Sequence, residues 1–280
     1  MKSIQSKSLL SLIIIFFIIG FSTSAKNLFS LQGEMNPADS ISPIAAISTK
    51  VPFERTMVRN PDWVVYPSSL AEHRDESKEY VKHYSRHERD YIIHMFQKGK
   101  NFFPRAVKIF DKYNVPDELQ MLPALESNFN SNAVSAAGAV GYWQFMSELA
   151  GEYGLSTKGK DDERKNFTKS TIAAAKYFRD QLEFFKGDLL LTVASYNCGS
   201  GRVIADMKKS GISNADFWDI KNYLPTETRL FVMRFISLNV IAANYDKFLK
   251  RKMNFNEPPL VQFASVDSSN LNNSDSRNSL

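Results

Sequence analysis

Cysteine is nearly absent. The 280-residue chain has one, Cys198, which excludes an intrachain disulfide and leaves stability to packing. Histidine is scarce and confined to one stretch: His73, His83, His87 and His94 stand among Arg74, Lys82, Arg86 and Arg89, with no carboxylate or cysteine at ligand spacing. That stretch reads as a solvated, basic helix surface and not as a metal or nucleic-acid site. No histidine neighbours Cys198, which sits between Asn197 and Gly199, so the thiol reads as a small buried filler and not as a nucleophile. The apolar run at residues 9–21 falls short of the roughly 20 residues a membrane-spanning helix needs. Lys2 and Lys7 precede it and Thr23-Ser24-Ala25 follow, the pattern of a secretory signal cleaved after Ala25; a retained anchor is the alternative. No cysteine follows that site to carry a lipid, and the chain has no internal repeat.

What is present suffices for a core. Hydrophobic residues make up 43% of the chain, and its length allows one large domain or two small ones. The net charge of +5 falls to +3 when Lys2 and Lys7 leave with the signal segment, a weak positive balance that suits an anionic polymer and does not point to nucleic acid. Residues 26–71 contain Pro37, Pro43, Pro52 and Pro61 among many serines and read as a linker. From residue 72 to residue 113 the pattern is helical, with Tyr91, Ile92, Met95 and Phe96 predicted on one face, then Phe102, Phe103, Val107 and Phe110. Further helices are predicted around 147–153, ended by Gly154; from a cap at or near Ser170 to Gly187; from Asp188 into Tyr196; and from Thr226 as N-cap through Phe231, Phe235, Leu238, Ile241 and Tyr245 toward Phe248. The Ser/Asn-rich end, residues 251–280, reads as a tail that is disordered at its terminus.

One carboxylate stands out. In residues 116–127 Leu119, Leu122 and Glu126 are spaced by three and four, so a helix there places Glu126 on the face of two leucines. Lost hydration disfavours the anion and raises the pKa, as a general acid near neutral pH requires. Pro123 offers the competing reading: a kinked helix that turns Glu126 to solvent. On this helix alone the competing reading has the advantage, because structural carboxylates outnumber catalytic ones.

The surrounding residues favour the first reading. After Glu126 come Phe129, Ser135, Gly138, Gly141 and Tyr142-Trp143-Gln144-Phe145-Met146, then Ser195-Tyr196-Asn197-Cys198-Gly199-Ser200-Gly201-Arg202-Val203, and finally Pro225-Thr226-Glu227-Thr228-Arg229-Leu230-Phe231-Val232. In order and spacing, residues 86–250 resemble the catalytic domain of the soluble lytic transglycosylase family, most of all its membrane-bound D branch. The resemblance implies a mainly α protein of the α+β lysozyme-like superfamily. It implies a single globular catalytic domain (residues 114–250) behind a helical N-terminal lead-in (residues 72–113). The chain departs from the family pattern at Ser195, where alanine is usual, at Ser200, where an acidic or other residue is common, and at Phe231, where tyrosine is frequent. Alanine is also usual at the place of Cys198.

The activity the resemblance implies is non-hydrolytic cleavage of the bond between N-acetylmuramic acid and N-acetylglucosamine in peptidoglycan, with Glu126 as acid and then base and a 1,6-anhydromuramyl product. Cleaving a glycosidic bond needs a proton on the leaving oxygen and support for an oxocarbenium-like carbon, and ordinary glycosidases add a second carboxylate. No clear partner for Glu126 is legible: Asp161, Asp162 and Glu163 read as a solvated loop or a helix-start cap. By resemblance Ser135, Gln144, Met146, Tyr196, Asn197 and Glu227 surround the sugar. Ser135 and Asn197 are expected to hydrogen-bond the N-acetyl group and the developing charge, Tyr196 to position Glu126, and Met146 to pack on a sugar face. Glu227 is expected to orient Tyr196 or a backbone amide. Gly138 and Gly141 either bring the backbone close to substrate or only make turns, and Trp143 and Phe145 read as core. The expected partner is the glycan strand, no metal or organic cofactor is implied, and the expected location is the periplasm, with membrane association left open. A lysozyme- or chitinase-type hydrolase and a non-catalytic wall-binding scaffold remain as alternatives.

Overall fold

The computed structural model describes residues 63–256 apart from residues 73 and 159–160. The signal segment, most of the linker and most of the tail lie outside these residues. Helices dominate, and among the described residues extended pairing is confined to isolated bridges, Trp63 with Asn254 and Val134 and Phe145 each with Val140.

The longest helices follow from their caps. Asn166 accepts a hydrogen bond from the Lys169 amide at 3.0 Å and starts α6 (Phe167–Phe184). The expected cap, Ser170, lies inside that helix, buried, with its hydroxyl returned to the Asn166 carbonyl at 2.7 Å. Asp188 caps α7 (Leu189–Cys198) as expected, accepting from the Leu191 amide at 2.8 Å. Pro225 takes the N-cap place of α10 (Thr226–Ala243), so Thr226 is its first helical residue, and Tyr245 opens a separate short helix, α11 (Tyr245–Leu249). Phe231, Val232, Phe235, Ile236, Leu238, Val240 and Ile241 are all buried, which makes α10 apolar nearly all round and central to the core.

Three helices precede the Glu126 segment: α1 (Arg74–His87), α2 (Arg89–Gly99) and α3 (Phe103–Phe110). Val81 and Tyr84 of α1 are buried, and α1 makes the most extensive contact with α10. On α2, Ile92 and Met95 are buried, but Tyr91 is 45% exposed, because one more residue rotates it about 100° off that stripe. His83, His87 and His94 are exposed, as the solvated-face reading expects. Residues 63–71, read from sequence as the end of the linker, place Val64, Tyr66 and Leu70 in the core. Asn244 fixes them by accepting from the Val65 amide at 2.9 Å and donating to its carbonyl at 2.6 Å.

Candidate active site

Glu126 lies on a broken helix. Residues Asp117–Met121 form a 3-10 turn, and only at Leu122 does α4 (Leu122–Ser127) begin, with Pro123 in its first turn, where a missing amide hydrogen is harmless. Proline therefore starts the short helix instead of turning its face outward. Leu119 and Leu122 are fully buried, and Glu126 is half-buried beside them. The helix ends in two left-handed residues, Asn128 and Phe129, whose amides return to the Ala124 and Pro123 carbonyls at 3.1 and 3.2 Å. Ser127 Oγ reaches the Tyr142 carbonyl at 2.9 Å and ties α4 to the glycine-bearing loop that follows.

That loop is a pair of tight turns. The amides of Ser135, Gly141 and Val140 bond the carbonyls of Ala139, Ala133 and Phe145 at 2.9, 2.9 and 3.1 Å. Gly141 has φ +84 and a Cβ there would lie 2.2 Å from the Arg164 carbonyl oxygen, so this glycine serves backbone packing within the protein. A Cβ at Gly138, φ +89, would meet nothing within 4 Å of protein, so here the positive φ of the turn is what favours glycine. Arg164, buried at 7% exposure, supports the loop from beneath: its Nη1 donates to Phe145 O at 3.0 Å, and its Nη2 pairs with Asp162 at 2.7 Å. Asp162 also accepts from the Arg164 amide and caps a 3-10 turn, the helix-start role expected for this acidic stretch.

The remaining site residues arrive from three elements. Gln144, at φ +49, uses its side-chain Nε2 to bond Ala133 O at 3.2 Å and Gly141 O at 2.9 Å, so its amide nitrogen staples the loop and these bonds leave its oxygen unused. Ser135 Oγ accepts from the Ala139 amide at 3.0 Å, which leaves its proton to donate. Met146 is half-buried at the start of α5 (Ser147–Glu152). Trp143 and Phe145 are core, at 0% and 1% exposure. At the end of α7 the Tyr196 hydroxyl donates to the Trp143 carbonyl. Asn197 Oδ1 accepts from Thr228 Oγ1 of α10 at 2.8 Å, which docks the first turn of α10 on the site.

The electrostatics join these elements. Burial first, and the negative charge of Glu227 second, push the Glu126 carboxyl from 4.5 up to about 8. Glu227, exposed in the first turn of α10, is itself raised by desolvation, with Arg234 opposing. A second carboxylate thus does act on Glu126, although sequence reading found no partner for it: Glu227 lies 101 positions away, and only the packing of α10 on α4 brings the two together. Burial, then the Glu126 charge, holds the Tyr196 hydroxyl well above its ordinary value, so it stays a donor. Burial also pushes the Cys198 thiol up to about 11, which leaves it protonated at neutral pH and unfit as a nucleophile. Thr228 and the Arg164 bond to Phe145 were missed as supports because both contacts are tertiary.

A cavity of about 520 Å³ opens elsewhere, between the α1–α2 corner and residues 248–255, lined among others by Arg89, Tyr91 and Phe248. None of the predicted site residues borders it. No group of three or more potential ligands able to hold a metal ion occurs among the described residues, and no described helix is long and apolar enough to cross a membrane.

Comparison with known proteins bears on the segment that carries Glu126. Residues 107–218 match the family model described as Transglycosylase SLT domain. Over 139 residues the chain is 38% identical to membrane-bound lytic murein transglycosylase D of Escherichia coli K12, covering 49% of this chain and 30% of that protein. It is 34% identical over 113 residues to peptidoglycan transglycosylase gp16 of Escherichia phage T7, covering 39% of this chain and 8% of the phage protein. The chain therefore spans under a third of the length of these relatives. Among solved structures, an inactive variant of the lytic transglycosylase Slt from Pseudomonas aeruginosa superposes with a TM-score of 0.44 at 21% identity, over 54% of this chain and 24% of that one. Glu126, Ser135, Gln144, Met146, Tyr196 and Asn197 fall inside the segment that matches the Transglycosylase SLT domain model, and Glu227 falls outside it.

Proposed function

We propose that the protein is a peptidoglycan lytic transglycosylase in which Glu126 serves first as general acid and then as general base. The observation that carries this reading is the Glu126 carboxyl raised to about 8 by burial and by Glu227, which keeps its proton at neutral pH. The step balances without water. The Glu126 proton goes to the leaving O4 of N-acetylglucosamine as the C1–O4 bond of N-acetylmuramic acid breaks. The carboxylate then takes the proton of the C6 hydroxyl as the C1–O6 bond forms, which regenerates the acid and leaves a 1,6-anhydro end.

An internal hydroxyl replaces water only if the sugar is held in place and water is excluded. Ser135 Oγ and Asn197 Nδ2 are the donors assigned to the N-acetyl group, Gln144 Oε1 an acceptor, and Met146 a packing surface. Tyr196 holds the loop through Trp143 and faces the Glu126 charge. Glu227 is assigned to orient Tyr196 or a backbone amide, and its like charge helps to keep Glu126 protonated. The same reading makes the chain an exported, periplasmic protein with a cleaved signal at residues 1–25. Residues 26–62 then form the linker, 63–113 a lead-in packed on the catalytic unit 114–250, and the residues after 256 a tail.

One observation favours the second reading, a hydrolase: Glu227 is a second carboxylate acting on Glu126, as hydrolytic glycosidases require. Mass spectrometry of soluble products from purified peptidoglycan separates the two. Products one water lighter than reducing muropeptides, lost in Glu126→Gln, support the transglycosylase; reducing ends refute it in favour of the hydrolase. Tight binding without products would point instead to a scaffold.

A further inference from the structure

The last turn of α7, Tyr196-Asn197-Cys198, leads through Gly199 into α8 (Ser200–Ser210) and carries two of the proposed substrate contacts. Gly199, at φ +85 with open space around it, ends α7 and opens α8, its amide bonding the Ser195 carbonyl at 2.8 Å, so the break between the two helices falls at this residue. On either side of residues 196–199 stand the two polar departures from the family pattern, Ser195 and Ser200. Both meet the same pair of side chains on α6. Ser200 Oγ donates to Gln181 Oε1 at 2.6 Å. Ser195 Oγ lies 3.5 Å from that same oxygen and sends its proton to Thr192 O at 2.8 Å, which leaves Ser195 free to accept. The Tyr177 hydroxyl faces both serines, which oppose the rise that burial gives it. Tyr177 and Gln181 are four residues apart and so share one face of α6, and the edge of the Tyr177 ring meets the Tyr196 ring with centroids 5.4 Å apart.

We propose that Tyr177 and Gln181 are positioning residues for the cleft: by gripping Ser195 and Ser200 they fix both ends of the four-residue segment and so set the direction of Tyr196 and Asn197. This rests on the transglycosylase reading of that cleft. From the far side Asn197 is held by Thr228 and Tyr196 by the Trp143 carbonyl, so α6 supplies the restraint that these contacts lack. A displacement of about 1 Å at a reacting geometry is worth up to about 100-fold in rate, and a loosened but still packed segment should lose less.

The test uses Gln181→Leu, which removes the acceptor, and Tyr177→Phe, which removes only the hydroxyl and keeps the ring. On soluble glycan fragments kcat should fall about 10-fold in each, a partial loss of the geometric term, with KM within about twofold. Gln181→Glu, which keeps an acceptor oxygen at the same reach, should recover most of the rate. The double variant should be little slower than either single one, as for two members of one network. Unchanged kcat, or a loss that follows the melting temperature and is not recovered by Gln181→Glu, overturns the proposal. If the wild-type chain forms no anhydro product, the functional reading fails by itself, and the clamp is read from backbone amide shifts of the 15N-labelled protein. Shifts at Tyr196 and Asn197 in both variants then uphold it, and unshifted amides reject it.

Discussion

Replacing Glu126 by glutamine should stabilise the fold in alkali and leave it nearly unchanged in acid. The native carboxyl titrates at about 8 against an ordinary 4.5, so between those values the folded state holds a proton that the unfolded state has released. Stability then falls as pH rises through that window, because the state binding more protons is the folded one. The rise corresponds to about 4–5 kcal/mol at 1.36 kcal/mol per pH unit, and water access at a half-buried carboxylate reduces this to roughly 2–3 kcal/mol. Glutamine mimics the protonated acid and carries no such cost. For a folded unit of this size, roughly 2–3 kcal/mol is about 5–10 °C in Tm. Paired thermal melts of wild type and Glu126→Gln from pH 4 to pH 9 cancel the titration of other groups. The difference should be near zero at pH 4, grow between about 4.5 and 8, and level off above. A difference that stays constant with pH would refute the claim that Glu126 is held protonated by the fold.

Three further outcomes follow from the same contacts. Glu227→Gln removes the like charge but not the burial, so the alkaline limb of the pH–rate profile should move to lower pH while remaining above that of an ordinary carboxyl; an unmoved limb would uncouple the two carboxylates. Gly141→Ala places a Cβ 2.2 Å from the Arg164 carbonyl and should destabilise by about 3 kcal/mol or more in urea unfolding, whereas Gly138→Ala, with open space around it, should cost only about 1–2 kcal/mol for its left-handed backbone. Equal losses would contradict the packing argument. Arg164→Leu leaves Asp162 without its cation and Phe145 O without its donor, and about 3–5 kcal/mol of stability should be lost at pH 7, with a smaller loss once Asp162 is protonated in acid. Denaturant curves at the two pH values decide it.

How far sequence reading reached depended on whether the determining contact was local. Spacing alone placed Glu126 beside Leu119 and Leu122, and Asp188 before its helix, because three- and four-residue periodicity and capping are local properties. Ser170 was a plausible cap by type, but Asn166, four residues earlier, makes the bond, and nothing in a polar run distinguishes the two without the backbone. Pro123 suggested a kink; in the fold it opens a new helix, because the preceding turn is 3-10. Gln144 and Ser135 could be assigned to the cleft by motif, yet their partial commitment to loop carbonyls and amides became visible only with the turns built. The pairing of Glu227 with Glu126, and of Thr228 with Asn197, spans α10 and two other helices, and no periodicity encodes it.

The most direct measurement of the central claim is digestion of peptidoglycan by the full chain in water enriched in 18O. An internal C6 hydroxyl as nucleophile predicts products one water lighter than reducing muropeptides and free of label at C1, formed by wild type and absent with Glu126→Gln. Label at C1 in a reducing end would make water the nucleophile and contradict the account.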